Sequence, residues 1–260
     1  MNRFEGKVVI VTGAGSGIGA GTARRFLQEG ASVALNGRRE HKLRETLEGF
    51  DQAKTLVHAG DVSDEGYVKS LIADTVRRFG KLDVLINNAG IAIFGPFEQT
   101  TTQDWRKVLS TDLDSVYFTS REALPHLLKT KGSIVNLSSA SGIGGDWGMS
   151  SYNAAKGAIT NFTRALALEY GSRGVRVNAV APSLTSTEAT GELEKNEAVL
   201  SAFRERLPIG RAATPGDIAG VIAFLASDDA VFINGVILPV DGGLGASNGQ
   251  PNFLNLLGKG

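Results

Sequence analysis

The chain has 260 residues, which allows one large α/β domain or two small ones, and 42% of them are apolar, enough for a sizeable buried core. Basic and acidic side chains are equal at 27 each and form no long block of like charge, so we expect no nucleic-acid partner. The absence of cysteine excludes disulfides, thiolate metal sites and a cysteine nucleophile.

Metal sites and membrane segments are not expected either. The three histidines, His41, His58 and His126, do not pair at metal-ligand spacing. The first residues, 1-MNRFEGKVVIVTG-13, lack the apolar stretch of a signal peptide. No apolar run approaches the length of about 18 residues that a membrane-spanning helix needs. We therefore predict a cytoplasmic protein without a membrane partner.

Short runs rich in β-branched residues alternate with runs of helical period along almost the whole chain. Strands are predicted at 7–12, 32–36, 54–62, 82–88, 132–139, 174–182 and 235–240. Helices are predicted at 17–30 and 64–80, each ending at a glycine. This alternation predicts a doubly wound α/β fold, with a parallel sheet and helices on both faces. Because no linker or repeat divides the chain, residues 1–260 are predicted to form a single domain.

A glycine-rich loop, 12-TGAGSGIG-19, joins the first predicted strand to the first predicted helix. Gly13 permits a tight exit from the strand, and Gly17 and Gly19 let backbone approach a pyrophosphate. The helix N-terminus then offers unpaired N–H groups and a partial positive charge. No Gly-Lys-Ser/Thr follows, which excludes a Walker loop. A plain strand-to-helix turn is the alternative, but the position after the first strand favours a dinucleotide site.

The end of the second strand selects between the two nicotinamide dinucleotides. An acidic residue there would bind the ribose 2′-hydroxyl of NAD and repel a 2′-phosphate. This chain has 36-NGRRE-40 instead, with Arg38 and Arg39 after the strand. Because a guanidinium binds phosphate bidentately, the sequence predicts NADP(H) over NAD(H), with NAD(H) still possible. Ordinary arginines at a solvated helix start are the alternative.

Polar or small residues also follow later strands, where ligands of a doubly wound sheet bind. These segments are 87-NNAG-90, 136-NLSS-139 and 239-PVDGG-243. A further pair, Tyr152 and Lys156, lies one helical turn apart in 150-SSYNAAKGAIT-160. Chance alone would place such a pair in roughly one chain in two of this size, so its meaning depends on the other motifs.

Together these motifs resemble the short-chain dehydrogenase/reductase family of the single-domain type. The matching residues fall in family order over nearly the whole chain: Gly13, Gly17, Gly19, Asp61-Val62, Asn87-Asn88-Ala89-Gly90, Ser139, Tyr152, Lys156, Pro182 and Asp241-Gly242-Gly243. The resemblance implies a Rossmann-like fold with seven parallel strands. It also implies hydride transfer between a nicotinamide and a carbon that bears oxygen.

The resemblance assigns catalytic roles to three side chains. Tyr152 serves as general acid in reduction and general base in oxidation. A free phenol is a weak base near neutral pH, and the ammonium of Lys156 favours its phenolate form. Lys156 also holds the nicotinamide ribose. Ser139, preferred to Ser138 for its distance from Tyr152 along the chain, hydrogen-bonds the substrate oxygen.

Further cofactor contacts are implied at the strand ends. They come from Gly13, Ser16, Gly17, Ile18, Gly19, Arg38, Arg39, Asp61, Val62, Asn88, Ala89, Gly90, Tyr152, Lys156, Pro182, Ser183, Thr185 and Thr187. Ser183 stands where the family commonly has glycine, and Thr187 stands where a family threonine often contacts the carboxamide. Trp147, on a glycine-rich loop, is predicted to wall the substrate pocket, with a packing role as the alternative.

One catalytic position departs from the family pattern. The family usually has an asparagine that relays protons from the lysine through water, and here 109-LSTDLDSVYF-118 places Asp112 there. An ionised carboxylate accepts hydrogen bonds and donates none, so a relay would run differently. A direct pair with Lys156 and a purely structural role are the alternatives for Asp112.

Four segments resemble one branch of the family, the bacterial acetoin/diacetyl reductases, also called 2,3-butanediol dehydrogenases. They are 125-PHLLKTKG-132, 142-GIGGDWG-148, 181-APSLTST-187 and 248-NGQP-251. The branch implies a small ketone or hydroxyketone that is interconverted with a secondary alcohol or vicinal diol. Its members often carry an acid after the second strand, which this chain lacks.

Two segments are predicted to lie beside the substrate. Residues 188–207, polar and charged, are predicted to form a helical substrate flap, with an ordinary exposed helix as the alternative. Family resemblance implies a homotetramer, and in the tail at 244–260 we expect Phe253, Leu254 and Leu257 to pack against a neighbouring subunit.

Two other functions compete with the ketone reductase. A 3-oxoacyl-[acyl-carrier-protein] reductase shares every catalytic motif but needs a basic surface for its acidic carrier. Arg204 and Arg206 could contribute to one, yet Glu188, Glu192, Glu194 and Glu197 crowd the same flap. A non-catalytic nucleotide-binding scaffold is the remote alternative, against which Ser139, Tyr152 and Lys156 argue.

Overall fold

The computed structural model describes residues 2–258, and a seven-stranded parallel sheet lies within them. Its strands are β1 (Val8–Val11), β2 (Ser32–Gly37), β3 (Thr55–Ala59), β4 (Val84–Asn87), β5 (Ser133–Leu137), β6 (Arg176–Pro182) and β7 (Ile237–Val240). Each falls on a predicted strand, and the strand order is β3-β2-β1-β4-β5-β6-β7. The prediction of a doubly wound, Rossmann-like sheet is confirmed.

The helices fill the gaps between the strands. They are α1 (Gly17–Gln28), α2 (Glu40–Thr46), α3 (Glu65–Phe79), α4 (Thr102–Leu109), α5 (Ser115–Thr130), α6 (Ser150–Gly171), α7 (Gly191–Glu194), α8 (Glu197–Arg206), α9 (Pro215–Ala226) and α10 (Phe253–Leu256). The helix predicted at 64–80 is confirmed. Its N-cap carboxylate, on Asp64, accepts from the Tyr67 N–H, and Gly80 ends it at a φ of 83°.

Some predicted bounds were too wide. The first helix ends at Gln28 rather than at residue 30. The third strand ends at Ala59 rather than at residue 62. The reason lies in Asp61, whose carboxylate accepts from both the backbone N–H and the hydroxyl of Ser63 and turns the chain toward α3.

Alternate residues of the central strands supply two separate cores, one on each face of the sheet. Val9 and Val11 pack in one core with Phe26 of α1. Ile10 packs in the other with Leu71 of α3. Full burial of such a side chain contributes roughly 1.5–3 kcal/mol, which explains why strands that are apolar on both faces lie between two helical layers.

The sheet has its topological switch point between β1 and β4. The chain runs outward from β1 through β2 to β3, then crosses back to β4 and continues to β7. Because the strand order reverses there, a crevice opens outside the carboxyl ends of β1 and β4, where ligands of such sheets bind. The Thr12 N–H donates to the Ile86 carbonyl at 3.0 Å, which aligns the two strand ends.

The polar segment at 188–207 contains α7 and α8 and follows β6 through an extended run. The Asn196 side chain caps α8 by accepting from two backbone N–H groups. A small cavity of about 180 Å³ lies beneath α8, lined by apolar groups that include Leu184, Phe203 and Leu207. The segment is therefore helical, charged outside and apolar beneath.

Of the helices between residues 2 and 258, none combines the length and apolarity needed to cross a membrane.

Candidate active site

The glycine loop closes tightly against the chain that leaves β4. Gly13 has a φ of 64°, and a Cβ on it would lie 2.9 Å from the Asn88 side-chain nitrogen. A Cβ on Gly19 would lie 2.2 Å from the Gly13 carbonyl oxygen. The Asn88 amide donates to the carbonyls of Thr12, at 2.9 Å, and Gly13, at 3.2 Å. These contacts leave room for glycine alone and hold the loop in one shape.

The glycine loop leads into the N-terminus of α1, and we call the two together the glycine cradle. Ser16 is the N-cap in extended conformation, and its side chain makes no capping hydrogen bond. Gly17 has a φ of 52°, and a Cβ on it would lie 2.9 Å from the Thr187 methyl carbon. Ile18 packs its side chain against the core, so the first turn keeps its backbone N–H groups at the crevice. A glycine cradle at a helix N-terminus fits the pyrophosphate of a dinucleotide.

Thr12 is a residue of this site that sequence reasoning missed. Its hydroxyl accepts from the backbone N–H groups of Asn88, at 2.9 Å, and Ala89, at 3.1 Å. It also donates to the Ile86 carbonyl at 3.3 Å. One hydroxyl thereby joins the carboxyl ends of β1 and β4. A polar residue ending an apolar strand was the available signal.

Arg38 and Arg39 follow β2 as expected, and the structure distinguishes them. Arg38 is exposed. The Arg39 guanidinium pairs with the Glu188 carboxylate through two bonds, Nη1 to Oε1 at 2.7 Å and Nη2 to Oε2 at 2.9 Å. The hydrogen bonds between the two side chains raise the pKa of Arg39 and lower the pKa of Glu188. From the sequence, Glu188 was predicted only to lie in the flap, and its pairing with Arg39 was not predicted.

Beside the end of β2, a buried polar network supports the crevice wall next to Asp61 and the buried Val62. The Tyr67 hydroxyl accepts from the Asn36 amide at 2.9 Å and donates to the His58 carbonyl at 2.7 Å. Burial raises the pKa of Tyr67 to about 12, so this phenol stays protonated and serves the fold. The network was not predicted.

Tyr152 and Lys156 lie one turn apart on α6, the helix that packs against β6. Tyr152 is half-buried, while Lys156 is only 3% exposed. The Lys156 ammonium lies 5.3 Å from the centre of the Tyr152 ring and donates to the Leu137 carbonyl at 3.0 Å. A positive charge is thus held beneath the phenol.

Asp112 supplies the counter-charge to this buried lysine. It lies at 0% exposure in a π-helical turn, Ser110–Asp114, between α4 and α5. One carboxylate oxygen accepts from the Ile91 N–H at 2.8 Å. The other lies 3.0 Å from the Lys156 ammonium, in an ion pair whose angles are not those of a hydrogen bond. Of the alternatives for Asp112, the direct pair with Lys156 is the one observed.

The pair determines the charge state of Lys156. Burial by itself would lower the pKa of the ammonium, but attraction from Asp112 and Tyr152 outweighs it and raises the pKa above its ordinary value. Gly90 covers the pair, since a Cβ there would lie 2.7 Å from the Asp112 carboxylate and 3.3 Å from the Lys156 ammonium. Lys156 is therefore charged at neutral pH.

The two serines at the end of β5 have different surroundings. Ser138 is buried, and its hydroxyl bonds the Thr160 hydroxyl at 2.7 Å and donates to the Lys156 carbonyl at 3.2 Å. Ser139 is half-buried, and its hydroxyl donates to the Ser141 hydroxyl at 3.1 Å. Because a hydroxyl proton rotates freely, Ser139 can turn toward a ligand while Ser138 is held by the helix.

The remaining predicted residues lie along the edge of the crevice near β6 and β7. Pro182 ends β6 and pairs with Val240. The Ser183 hydroxyl donates to the Asp241 carbonyl at 3.0 Å, and the Thr185 hydroxyl donates to the Ser183 carbonyl at 3.1 Å. These bonds fix the start of the segment that leads into the flap.

Trp147 is 95% exposed on the loop before α6. The backbone of this loop is tied to the loop after β4, because the Gly95 N–H donates to the Gly148 carbonyl at 2.9 Å. The packing role considered for Trp147 is wrong within this chain, since the indole is almost fully exposed. Its role in the substrate pocket stays a prediction.

A cavity of about 560 Å³ lies at the opposite edge of the sheet, among Arg3, Asp83 and Arg176. These residues precede or begin strands, whereas the candidate site lies where strands end. Within the described ranges, no cluster of three metal-ligating side chains forms.

A doubly wound sheet with a glycine cradle at its switch point and a tyrosine–lysine pair beside it defines a dinucleotide-dependent oxidoreductase. A family model described as enoyl-(acyl carrier protein) reductase matches residues 13–245. The chain belongs to the short-chain dehydrogenase/reductase family, whose members use NAD(P) to act on CH–OH groups.

Three comparisons give the level of similarity. The chain is 47% identical to meso-2,3-butanediol dehydrogenase of Serratia marcescens, over 97% of this chain and 100% of the relative. It is 36% identical to a 3-oxoacyl-[acyl-carrier-protein] reductase of Thermotoga maritima, over 93% and 99%. A crystal structure of levodione reductase superimposes with a TM-score of 0.89 at 35% identity, covering 94% of this chain and 99% of that one.

Proposed function

We propose that this enzyme interconverts a small ketone or hydroxyketone with a secondary alcohol or vicinal diol, of the acetoin and 2,3-butanediol type, and prefers NADP(H). The observation that carries the proposal is the buried Lys156 ammonium 5.3 Å from the Tyr152 ring, at the carboxyl edge that also carries the glycine cradle. The 47% identity to a butanediol dehydrogenase supports the substrate class.

The cradle residues fit a dinucleotide. Gly13, Gly17 and Gly19 stand where a Cβ would collide with neighbouring parts of the chain, so the loop packs closely and the N-terminus of α1 is left to meet the phosphates. Lys156 holds the ribose next to the nicotinamide. The bound dinucleotide supplies the hydride in reduction and accepts it in oxidation.

The proton that accompanies the hydride passes through Tyr152. In reduction the phenol donates its proton to the substrate oxygen, and in oxidation the phenolate takes it back. The Lys156 charge favours the phenolate, because an ammonium nearby stabilises a negative oxygen. Asp112 and the Leu137 carbonyl hold that ammonium in place. Ser139 hydrogen-bonds the substrate oxygen and aligns it with Tyr152.

A substrate and cofactor panel tests this function. NADPH oxidation with diacetyl or acetoin should exceed that with acetoacetyl thioester by about tenfold or more in kcat/KM, equivalent to about 1.4 kcal/mol of transition-state stabilisation. NADPH should give a lower KM than NADH because Arg38 and Arg39 lie at the ribose edge. The reverse order of substrates would assign the chain to carrier-protein reduction.

The carrier-protein alternative has less support from the flap. The Arg204 guanidinium pairs with the Glu197 carboxylate at 2.7 Å, so its charge is already compensated. Both side chains are exposed on α8. An acidic carrier would therefore meet a nearly neutral surface there.

Substitution of the two serines separates catalysis from stability. Ser139→Ala should lower kcat/KM by about 10²-fold, because the substrate oxygen loses one aligned donor, while stability falls only by the loss of its local bonds to Ser141. Ser138→Ala should lower the free energy of unfolding by about 1–2 kcal/mol, since it removes two buried hydrogen bonds, to the Thr160 hydroxyl and the Lys156 carbonyl. Steady-state kinetics and denaturant titration of both variants check this. The opposite pattern would make Ser138 the substrate-binding serine.

Assembly and location are part of the same proposal. We propose a cytoplasmic, single-domain homotetramer, with Phe253, Leu254 and Leu257 of the C-terminal tail packing on a neighbouring subunit. Phe253, Leu254 and Leu257 are exposed on the single chain, which leaves their apolar surface available to a partner. A monomer in light scattering would exclude the tetramer.

A further inference from the structure

The flap is joined to the second strand by the ion pair between Glu188 and Arg39, 149 residues apart. The side chains are 53% and 48% exposed, so the contact lies at the surface, where a ligand can reach it. Thr187, the neighbour of Glu188, lies against Gly17 of the glycine loop. The pair is therefore placed at the dinucleotide edge of the crevice and at the start of the flap.

This contact uses the groups that a phosphate would use. Both terminal nitrogens of Arg39 bind the two oxygens of one carboxylate, the fork geometry that guanidinium also presents to phosphate. A phosphate on Arg39 would bring two negative charges beside the Glu188 carboxylate, and like charges at that distance repel. Lys42 pairs with Glu45 at 2.7 Å, and its charge offsets the repulsion at Glu188 only in part.

We propose that Glu188 weakens the preference for NADP(H) by competing with its 2′-phosphate for Arg39; this rests on the proposed function. NADP(H) displaces Glu188 from Arg39 and frees the start of the flap. NAD(H), which carries a hydroxyl at that position, leaves the pair intact. An acidic side chain, missing after β2, is thus supplied by Glu188, 149 residues after Arg39.

The size of the effect follows from how often Arg39 is occupied. The apparent Kd of a ligand equals its intrinsic Kd divided by the fraction of protein that is competent to bind it. An exposed ion pair contributes little, so Glu188 should weaken NADP(H) binding by about two- to fivefold. NAD(H) binding should not change.

The test is a comparison of nucleotide Kd values by fluorescence titration without substrate. Glu188→Gln should tighten NADPH binding about threefold and leave NADH within about 1.5-fold. Glu197→Gln is the matched control, because it removes the same charge from an exposed, arginine-paired carboxylate on the same flap. It should change neither Kd.

Two further measurements isolate Arg39. In an Arg39→Gln background NADPH binding should weaken, and adding Glu188→Gln should give no further gain for NADPH. Adenosine 2′,5′-bisphosphate should reproduce the NADPH pattern and adenosine 5′-monophosphate the NADH pattern. This locates the effect at the 2′ position.

The outcomes separate this proposal from the function on which it rests. Equal tightening of NADPH and NADH by Glu188→Gln, equal effects of Glu188→Gln and Glu197→Gln, or no effect of Glu188→Gln would each overturn the competition while leaving an active oxidoreductase. Failure of the unaltered protein to bind either nucleotide would instead contradict the proposed function.

Discussion

The Tyr152→Phe variant is expected to lose about 10³-fold or more in kcat, with nucleotide Kd within about twofold of the parent protein. The substitution removes one oxygen and keeps the ring, so the aromatic face 5.3 Å from the Lys156 ammonium remains. Only the proton donor to the substrate oxygen is lost. Single-turnover kinetics and a fluorescence titration of the nucleotide measure the two quantities.

Tyr170→Phe is the matched control for this prediction. Tyr170 lies on α6 like Tyr152, but near the end of that helix and away from Lys156. Its loss should leave kcat within about twofold, because it donates no proton to the substrate. A Tyr152→Phe variant that kept parental activity would exclude the phenol as acid and base. Loss of nucleotide binding as well would show a structural role instead.

The second large effect is expected at Asp112. Asp112→Ala should lower the free energy of unfolding by about 3–5 kcal/mol, because removing one partner leaves a buried ammonium uncompensated. Both partners are almost fully buried, so solvent screens this pair little. Denaturant titration near neutral pH measures the loss. Asp112→Asn should cost less, since an amide oxygen can still accept from the Ile91 N–H.

The stabilisation by the Asp112–Lys156 pair is expected to decrease as the pH rises. The pKa of Lys156 is raised in the folded protein above its ordinary value of 10.5, so the stabilisation is fully present below that pH and is lost as pH rises through the higher, folded pKa. The stability difference between the parent and Asp112→Asn should be largest near neutral pH and narrow above about pH 10.5. Denaturant titrations across that range would show it.

Asp114→Ala provides the comparison for the Asp112 variants. Asp114 belongs to the same π-helical turn but is exposed. Its removal should change stability by less than about 0.5 kcal/mol and leave the alkaline dependence unaltered. If Asp112→Ala were as mild, or if the difference from the parent did not narrow at high pH, the ion pair would not stabilise the fold.

The pair also changes how the lysine is supported. An asparagine at position 112 could donate to a water next to Lys156, whereas a carboxylate only accepts. Here the carboxylate contacts the ammonium directly at 3.0 Å. The positive charge near Tyr152 consequently lies beside an opposite charge rather than beside an amide.

Much of this architecture could be predicted from local patterns. Strands of four to seven residues appear where β-branched runs were found, and α3 begins at Asp64 and ends at Gly80 as capping chemistry requires. The glycine loop and the spacing of Tyr152 and Lys156 could also be predicted, since each depends on residues close in sequence. Local backbone geometry depends on the period of the apolar residues and on the few residue types that permit a given turn.

Other features were decided by packing between distant segments. The pair of Asp112 with Lys156, the Arg39–Glu188 contact and the hydroxyl of Thr12 between β1 and β4 all join groups far apart in the chain. The different surroundings of Ser138 and Ser139 were also decided by such packing, because they depend on α6 lying against the end of β5. The sequence by itself determined the elements, the glycine loop and the residue types at the strand ends. Only the tertiary structure decided which charges meet, because ion pairs depend on distance in space and leave no periodic signal along the chain.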